Sequence, residues 1–383
     1  MKKSARFALA LLLVLALSLP VMAIEPVSED AISISSPCAI LVEKTTGTVI
    51  YEKNAKERGS PASVTKVMTM LLIAEAVDSG LITLDTMVTA SSRAASMGGS
   101  QIWLEEGEQM SVHDMLKAIA VVSGNDAAVA MAEHMAGSEE GFVELMNRRA
   151  VELGMADTTF VNCTGLPAAG HLTSAYDIAL MSRQLLMHPG IREFTTIWMD
   201  TIRDGQFQLA NTNKLIRFYE GATGLKTGST DTALYCLSAS AERSGMELIA
   251  VIMKSQTSEK RFESAKALLN FGFANYTLLD VHPDQALPPV EVSLGECSTV
   301  QPVLDQSGRI LVDKAEINNV TTQIRLCEGV EAPVEAGQKL GEMVVSISGV
   351  EQQTIPIVAD QAVGRIHLPG IFKRFLDILF MAE

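Results

Sequence analysis

PASVTKVMTMLLIAEAVDSG, residues 61–80, contains both the start and the stop of a helix. From Ser63 to Val77 the pattern is helical, and Asp78-Ser79-Gly80 ends it. On such a helix Lys66 stands one turn after Ser63 on the same face, so its amine can reach the Ser63 hydroxyl. Upstream, residues 36–51 predict a β-hairpin: Ala39-Ile40-Leu41-Val42, a turn at Lys44-Thr45-Thr46-Gly47, then Thr48-Val49-Ile50-Tyr51. Downstream the pattern is helical between about Ser111 and Gly154, and again from Ser174 to Leu186. Strand texture returns after Tyr219-Glu220-Gly221. A turn through Gly224 to Asp231 leads into Leu234 to Ala239 and then Leu248 to Met253, and a helix from Ser258 to Phe273 follows. Hairpin, helices, strands, helix in that order predict an α+β domain. Its one antiparallel sheet draws strands from both ends of the segment, with a helical region between them.

The rest of the chain differs in texture. From about Tyr276 short alternating runs such as Val290-Glu291-Val292, Gln323-Ile324-Arg325-Leu326 and Met343 to Ile347 are punctuated by Gly and Pro, which predicts a small all-β domain ending near Leu368. Beyond Pro369, Ile371, Phe375, Ile378 and Leu379 share one helical face, with Phe372 and Leu376 beside them. Lys373, Arg374 and Asp377 gather opposite. A helix this short cannot span a bilayer but suits its interface; the alternative is a terminal helix docked on its own domain. At the other end Lys2, Lys3 and Arg6 precede an apolar run from Phe7 to about Leu19, then Val21-Met22-Ala23, the pattern of an export signal cleaved after Ala23. The domain plan is therefore 1–23 signal peptide, 24–275 larger domain, 276–368 β-rich domain and 369–383 amphipathic membrane-surface helix, with the protein working outside the cytoplasm.

Composition narrows the function classes. With 48% hydrophobic and 20% charged residues in 383, the chain can bury a core and is not mainly disordered. Thirty Lys and Arg against 45 Asp and Glu give a net charge of −15, and loss of the signal would make it −18. There is no basic stripe interleaved with aromatics, so nucleic acid is excluded as a partner. The five cysteines show no CxxC and the six histidines no HExxH, so no metal or other cofactor is proposed. Irregular spacings predict mostly free, buried thiols, with room for one long-range bridge. Cys163, beside Thr164-Gly165-Leu166, is a weak candidate for a reactive thiol.

Three short motifs stand in order: Ser63-Val64-Thr65-Lys66, then Ser123-Gly124-Asn125 at the end of a helical run, then Lys226-Thr227-Gly228 leading into the later strands. An SxxK alone is expected about once by chance in a chain of this length, and each motif singly reads as a cap or a turn. Together, in this order and behind an export signal, they resemble the D-alanyl-D-alanine carboxypeptidases, the low-molecular-weight serine penicillin-binding proteins of the β-lactamase-like superfamily. Pro61-Ala62-Ser63, Asn147 to Leu153, Thr164-Gly165-Leu166 and Gly224 to Gly228 extend the resemblance over about residues 36–275, and the β domain with its amphipathic tail fits the same plan.

The resemblance implies a β-lactamase/transpeptidase-like fold. It also implies an acyl-enzyme on Ser63, Lys66 as general base, Ser123 as proton relay and Asn125 holding Lys66 and the substrate amide. Lys226, Thr227, Gly228 and Ser229 would form the substrate-binding strand. The backbone N–H groups of Ser63 and Ser229 would make the oxyanion hole. Lys226 would be the second cation that lowers the pKa of Lys66. Partners would be peptidoglycan stem peptides ending in D-Ala-D-Ala, with β-lactams as inhibitors. Ser229-Thr230 stands where many relatives have His-Thr, which bears on preference at the carboxylate end.

The competing readings are a class A-like β-lactamase, a transpeptidase and a catalytically idle wall-binding protein. No Glu-x-x-Leu-Asn-like segment between the second and third motifs supports the first. The transpeptidase differs only in product, and the intact motif set argues against the idle protein. His171 and Asp177 belong to no GxSxG elbow and read as structural.

Overall fold

The computed structural model describes residues 26–283, 285–305 and 308–380. The segment read as an export signal lies outside them. The described chain divides into two compact units, one ending at Thr277 and one beginning at Leu278.

In the first unit, strands β1 (Cys38–Glu43), β2 (Val49–Lys53), β3 (Ala222–Thr230), β4 (Leu234–Arg243) and β5 (Met246–Ser255) form one antiparallel sheet in the order β2-β1-β5-β4-β3. β1 is buried along its whole length because the sheet is covered on both faces. Ile40, Val42, Ile249 and Val251 join the main core. On the other face Leu41 and Leu248 meet Gly272 of helix α6 (Ser258–Asn275). Helix α1 (Lys66–Asp78) is apolar nearly all round, as a helix at the centre of a unit must be, and it is entered through a 3-10 turn at Ala62–Thr65. The helical run after Ser111 becomes three helices, α2 (Val112–Val121), α3 (Asn125–Ala136) and α4 (Glu139–Glu152). Two left-handed residues make the breaks, Ser123 with φ 66° and Gly137 with φ 77°. Ser111, Ser138, Ser174 and Thr257 accept the N3 amides of α2, α4, α5 (Ala175–Leu186) and α6, which explains why the helix starts were legible.

One expectation changes, and the expectation of mostly free thiols is narrowed. The turn read through Gly224 to Asp231 is strand β3: Lys226 pairs with Ser238 and Gly228 with Cys236. Its two glycines and three threonines lack the alternation of a half-buried strand, and it is the edge partner of β4 that makes it one. No disulfide forms; all five cysteines are free, with Cys38, Cys163 and Cys236 buried and Cys297 exposed.

The second unit is β-rich. Strands β6 (Pro302–Leu304), β7 (Val320–Leu326), β8 (Lys339–Ile347) and β9 (Val350–Ala359) form an antiparallel sheet in the order β6-β9-β8-β7, over a core that includes Met343, Val345, Ile355 and Ile357. β7 alternates half-buried and exposed residues, the mark of a sheet with one face in water. Helix α7 (Leu368–Phe380) ends the described chain, and Ile371, Phe372, Phe375, Leu379 and Phe380 along it are exposed. No helix among the described residues is long and apolar enough to cross a membrane.

Candidate active site

Ser63 lies in the 3-10 turn rather than in α1 itself, and Lys66 is the first residue of the helix. The expected neighbourhood survives: Lys66 Nζ is 3.3 Å from Ser63 Oγ. It also donates to Asn125 Oδ1 at 2.6 Å and to the Thr164 carbonyl at 2.7 Å. Each oxygen is held in turn. Asn125 Nδ2 donates to Gly98 O at 2.7 Å, which fixes the amide with its oxygen toward Lys66. Asn162 Oδ1 accepts the Gly165 amide at 2.7 Å and the Thr164 amide at 3.2 Å, folding the 162–165 loop so that the Thr164 carbonyl meets the amine.

Lys66 is completely buried, and that burial pushes its ammonium down to about 7. An ordinary lysine is neutral in roughly 4 molecules in 10,000 at pH 7; a group with this value is about half neutral. When neutral, its two N–H groups are taken by the Asn125 and Thr164 oxygens, which leaves the lone pair facing Ser63 Oγ. The arrangement can therefore remove a proton from the hydroxyl.

Ser123 is buried at the left-handed break before α3, and its Oγ has no hydrogen-bond partner among the described residues. The loop that carries Gly98 is tied down beside it: buried Asp126 accepts the amides of Ile102 at 3.0 Å and Leu104 at 3.1 Å, and Asn125 N donates to Ser100 O at 2.7 Å.

The third motif runs along the edge strand β3. Lys226 is buried, with Nζ donating to Thr227 O at 2.9 Å. Burial holds its pKa well below the usual lysine value, and the charges of Lys66 and Arg261 push the same way. Burial is the leading cause at both lysines, and the repulsion between the two charges acts in the same direction. Thr227 Oγ1 donates to Thr212 Oγ1 at 2.7 Å. Gly228 is required by contact, since a Cβ there would stand 2.8 Å from Pro61 O and 2.9 Å from the amide nitrogens of both Ser63 and Val64. Ser229 is exposed and borders a cavity of about 390 Å³ with Thr230, Asp231, Leu234 and Tyr235.

Residues 25–257 match the model of the family described as D-alanyl-D-alanine carboxypeptidase, and residues 281–365 match the C-terminal domain of penicillin-binding protein 5. The chain belongs to the D-alanyl-D-alanine carboxypeptidase family. It is 44% identical to the D-alanyl-D-alanine carboxypeptidase DacF of Bacillus subtilis (strain 168) over 88% of each chain. Among solved structures it is similar to penicillin binding protein 5 from Haemophilus influenzae, with a TM-score of 0.78 and 29% identity, covering 87% of this chain and 98% of that one. It is also similar to penicillin-binding protein D2 from Listeria monocytogenes in the ampicillin-bound form, with a TM-score of 0.58 and 33% identity, covering 63% of this chain and 98% of that one. The chain is accordingly a serine-type D-alanyl-D-alanine carboxypeptidase, a hydrolase of cell-wall peptides.

Several residues around Ser63 and Lys66 have roles that the sequence alone does not announce. The Gly98 and Thr164 carbonyls and Thr212 act through the backbone or over long separations, so no local pattern announces them. Arg261 had a signal, since it stands on the stripe with Ala265, Leu268 and Gly272 that α6 buries. A cation within an apolar stripe has a partner to find. His171 and Asp177 form no triad: His171 Nε2 is 2.8 Å from Thr65 Oγ1, while Asp177 accepts the Asp157 amide and the Thr158 hydroxyl. Cys163 is buried with its thiol pKa raised well above the ordinary value by that burial, the reverse of a reactive thiolate.

Proposed function

We propose that Ser63 forms the acyl-enzyme. Its Oγ attacks the carbonyl carbon of the penultimate D-Ala while Lys66 Nζ takes the hydroxyl proton. The carbonyl oxygen gains the electron pair and is met by the backbone N–H groups of Ser63 and Ser229. Collapse expels the terminal D-Ala, whose amine receives a proton through Ser123, and water then hydrolyses the ester. Asn125 holds Lys66 and the substrate amide, and Lys226, Thr227, Gly228 and Ser229 receive the peptide's C-terminal end. The observation that carries this reading is a buried amine of pKa about 7 at 3.3 Å from Ser63 Oγ, with its N–H groups already engaged elsewhere. β-Lactams acylate the same oxygen on this reading, which the ampicillin-bound Listeria relative supports.

The test is D-Ala release from a soluble peptide ending in D-Ala-D-Ala, with Ser63→Ala alongside. Release and penicillin labelling that both vanish in the variant are expected. Labelling at another residue would overturn the assignment.

We also infer that residues 1–23 export the chain and that α7 holds it on the outer face of the cytoplasmic membrane. Six large apolar side chains left in water on one short helix, Leu368 among them, support attachment over docking. Deletion from Gly370 onward is expected to abolish sedimentation with anionic vesicles while turnover of the soluble peptide continues. Sedimentation of the deleted form would refute it.

A further inference from the structure

We propose that Thr65, backed by His171, and Arg261 are positioning residues that aim the two oxyanion N–H groups by holding the carbonyls on the far side of the same peptide planes. The inference rests on the oxyanion assignment just made and adds the residues that set its geometry. In a trans peptide the C=O of one residue and the N–H of the next point in opposite directions, so fixing one aims the other. The peptides Ala62–Ser63 and Gly228–Ser229 are both trans.

For the first plane, Thr65 Oγ1 donates to Ala62 O at 2.8 Å. That hydroxyl is oriented by His171: the Val161 amide donates to Nδ1 at 3.0 Å, so the neutral ring carries its proton on Nε2, 2.8 Å from Thr65 Oγ1. The hydroxyl then has one direction left for its own hydrogen, toward Ala62 O. Ala62 is held at φ 49°, an uncommon conformation for a residue with a Cβ. Gly165 packs so close that an added Cβ would collide with the same carbonyl. The Ser63 N–H is thereby turned the other way, and as one of the first amides of a helical turn it has no acceptor within the turn.

For the second plane, one nitrogen of Arg261, Nη1, donates to Gly228 O at 3.1 Å and Cys236 O at 3.2 Å. These residues pair across β3 and β4, so both carbonyls lie on the inner side of the edge strand. The Ser229 N–H, in the same plane as Gly228 O, must point to the unpaired edge. Gly228 presses on the Ser63 and Val64 amides, which brings the two planes to one place.

The experiment compares Thr65→Val, Thr65→Ser and Arg261→Lys in the full chain. Measured are kcat and KM for the D-Ala-D-Ala peptide and the rate of acylation by penicillin, each per site that finally labels, so that unfolded protein does not count. Thr65→Val and Arg261→Lys are expected to lower kcat and acylation at least tenfold, approaching the roughly 10²–10³-fold that loss of one donor costs, with KM within about twofold. Thr65→Ser is expected to restore most of the rate, because it returns the hydroxyl. An unchanged kcat in Thr65→Val or Arg261→Lys removes that arm of the proposal. A loss confined to KM assigns the residue to substrate binding and also overturns it. If the unaltered chain released no D-Ala in a Ser63-dependent way, the parent reading would fall first; an active enzyme with indifferent variants overturns this inference alone.

Discussion

In the unit that ends at Thr277, Lys66, Asp126, Lys226, Glu247 and Arg261 are all at most 7% exposed, whereas among the described residues from Leu278 onward the buried set is apolar throughout. Burying a charge is costly unless it is matched, so the two units spend their sequences differently. In the first, some charges are fully matched. Glu247 takes Lys44 at 2.9 Å, Arg192 at 2.6 Å and the Thr223 hydroxyl at 2.7 Å, at the head of the edge strand. Lys66 and Lys226 face neutral oxygens instead and respond by a lowered pKa. On the proposed mechanism, the contrast separates charges that hold the structure from charges poised for chemistry. Among its described residues the second unit buries neither kind: a sheet lies over small apolar clusters, and ion pairs such as Arg325 to Glu351 at 2.8 Å are at the surface.

Three measurements would sharpen or break that contrast. The largest effect is expected from Lys66→Ala, which removes the poised amine: penicillin acylation should drop by about 10²–10⁴-fold, the range for loss of a general base. An acylation rate within tenfold of the original would show that the amine is not the base. Next is pH. Only neutral Lys66 accepts a proton, and its value lies at about 7, so the acylation rate should be level above that pH and fall about tenfold per unit well below it. A profile still rising steeply above pH 9 would mean that Lys66 keeps an ordinary lysine pKa. The smallest catalytic effect belongs to the β-rich unit. Met343→Ala empties a fully buried position in its core, and a loss of about 2–5 kcal/mol in that unit's stability is expected with kcat on a soluble peptide unchanged. A parallel fall in kcat before the unit unfolds would break the division between a charged, reactive unit and an apolar one.

Much of this was legible in residue order. The helix starts could be read because Ser and Thr caps act within three residues, and β1 and β5 because a sheet covered on both faces needs unbroken apolar runs. The Ser63 and Lys66 pair could be read because a helical turn alone brings them together. β3 could not. Its residues, Ala222 to Thr230, have no strand pattern of their own and become a strand through β4 on one side and the close approach of the 61–64 backbone to Gly228 on the other.

The sequence by itself therefore determined the α+β plan, the separate β-rich unit and the three motifs with the side chains they supply, because those depend on neighbours a few residues apart. Only the tertiary structure decided the amine's value near 7 and the direction of its lone pair. These arise from burial and from oxygens at Asn125 and Thr164, 59 and 98 residues along the chain. It likewise decided that Arg261 meets Gly228, 33 residues apart, since a guanidinium chooses its carbonyls by where the folded backbone brings them and no local pattern encodes that distance.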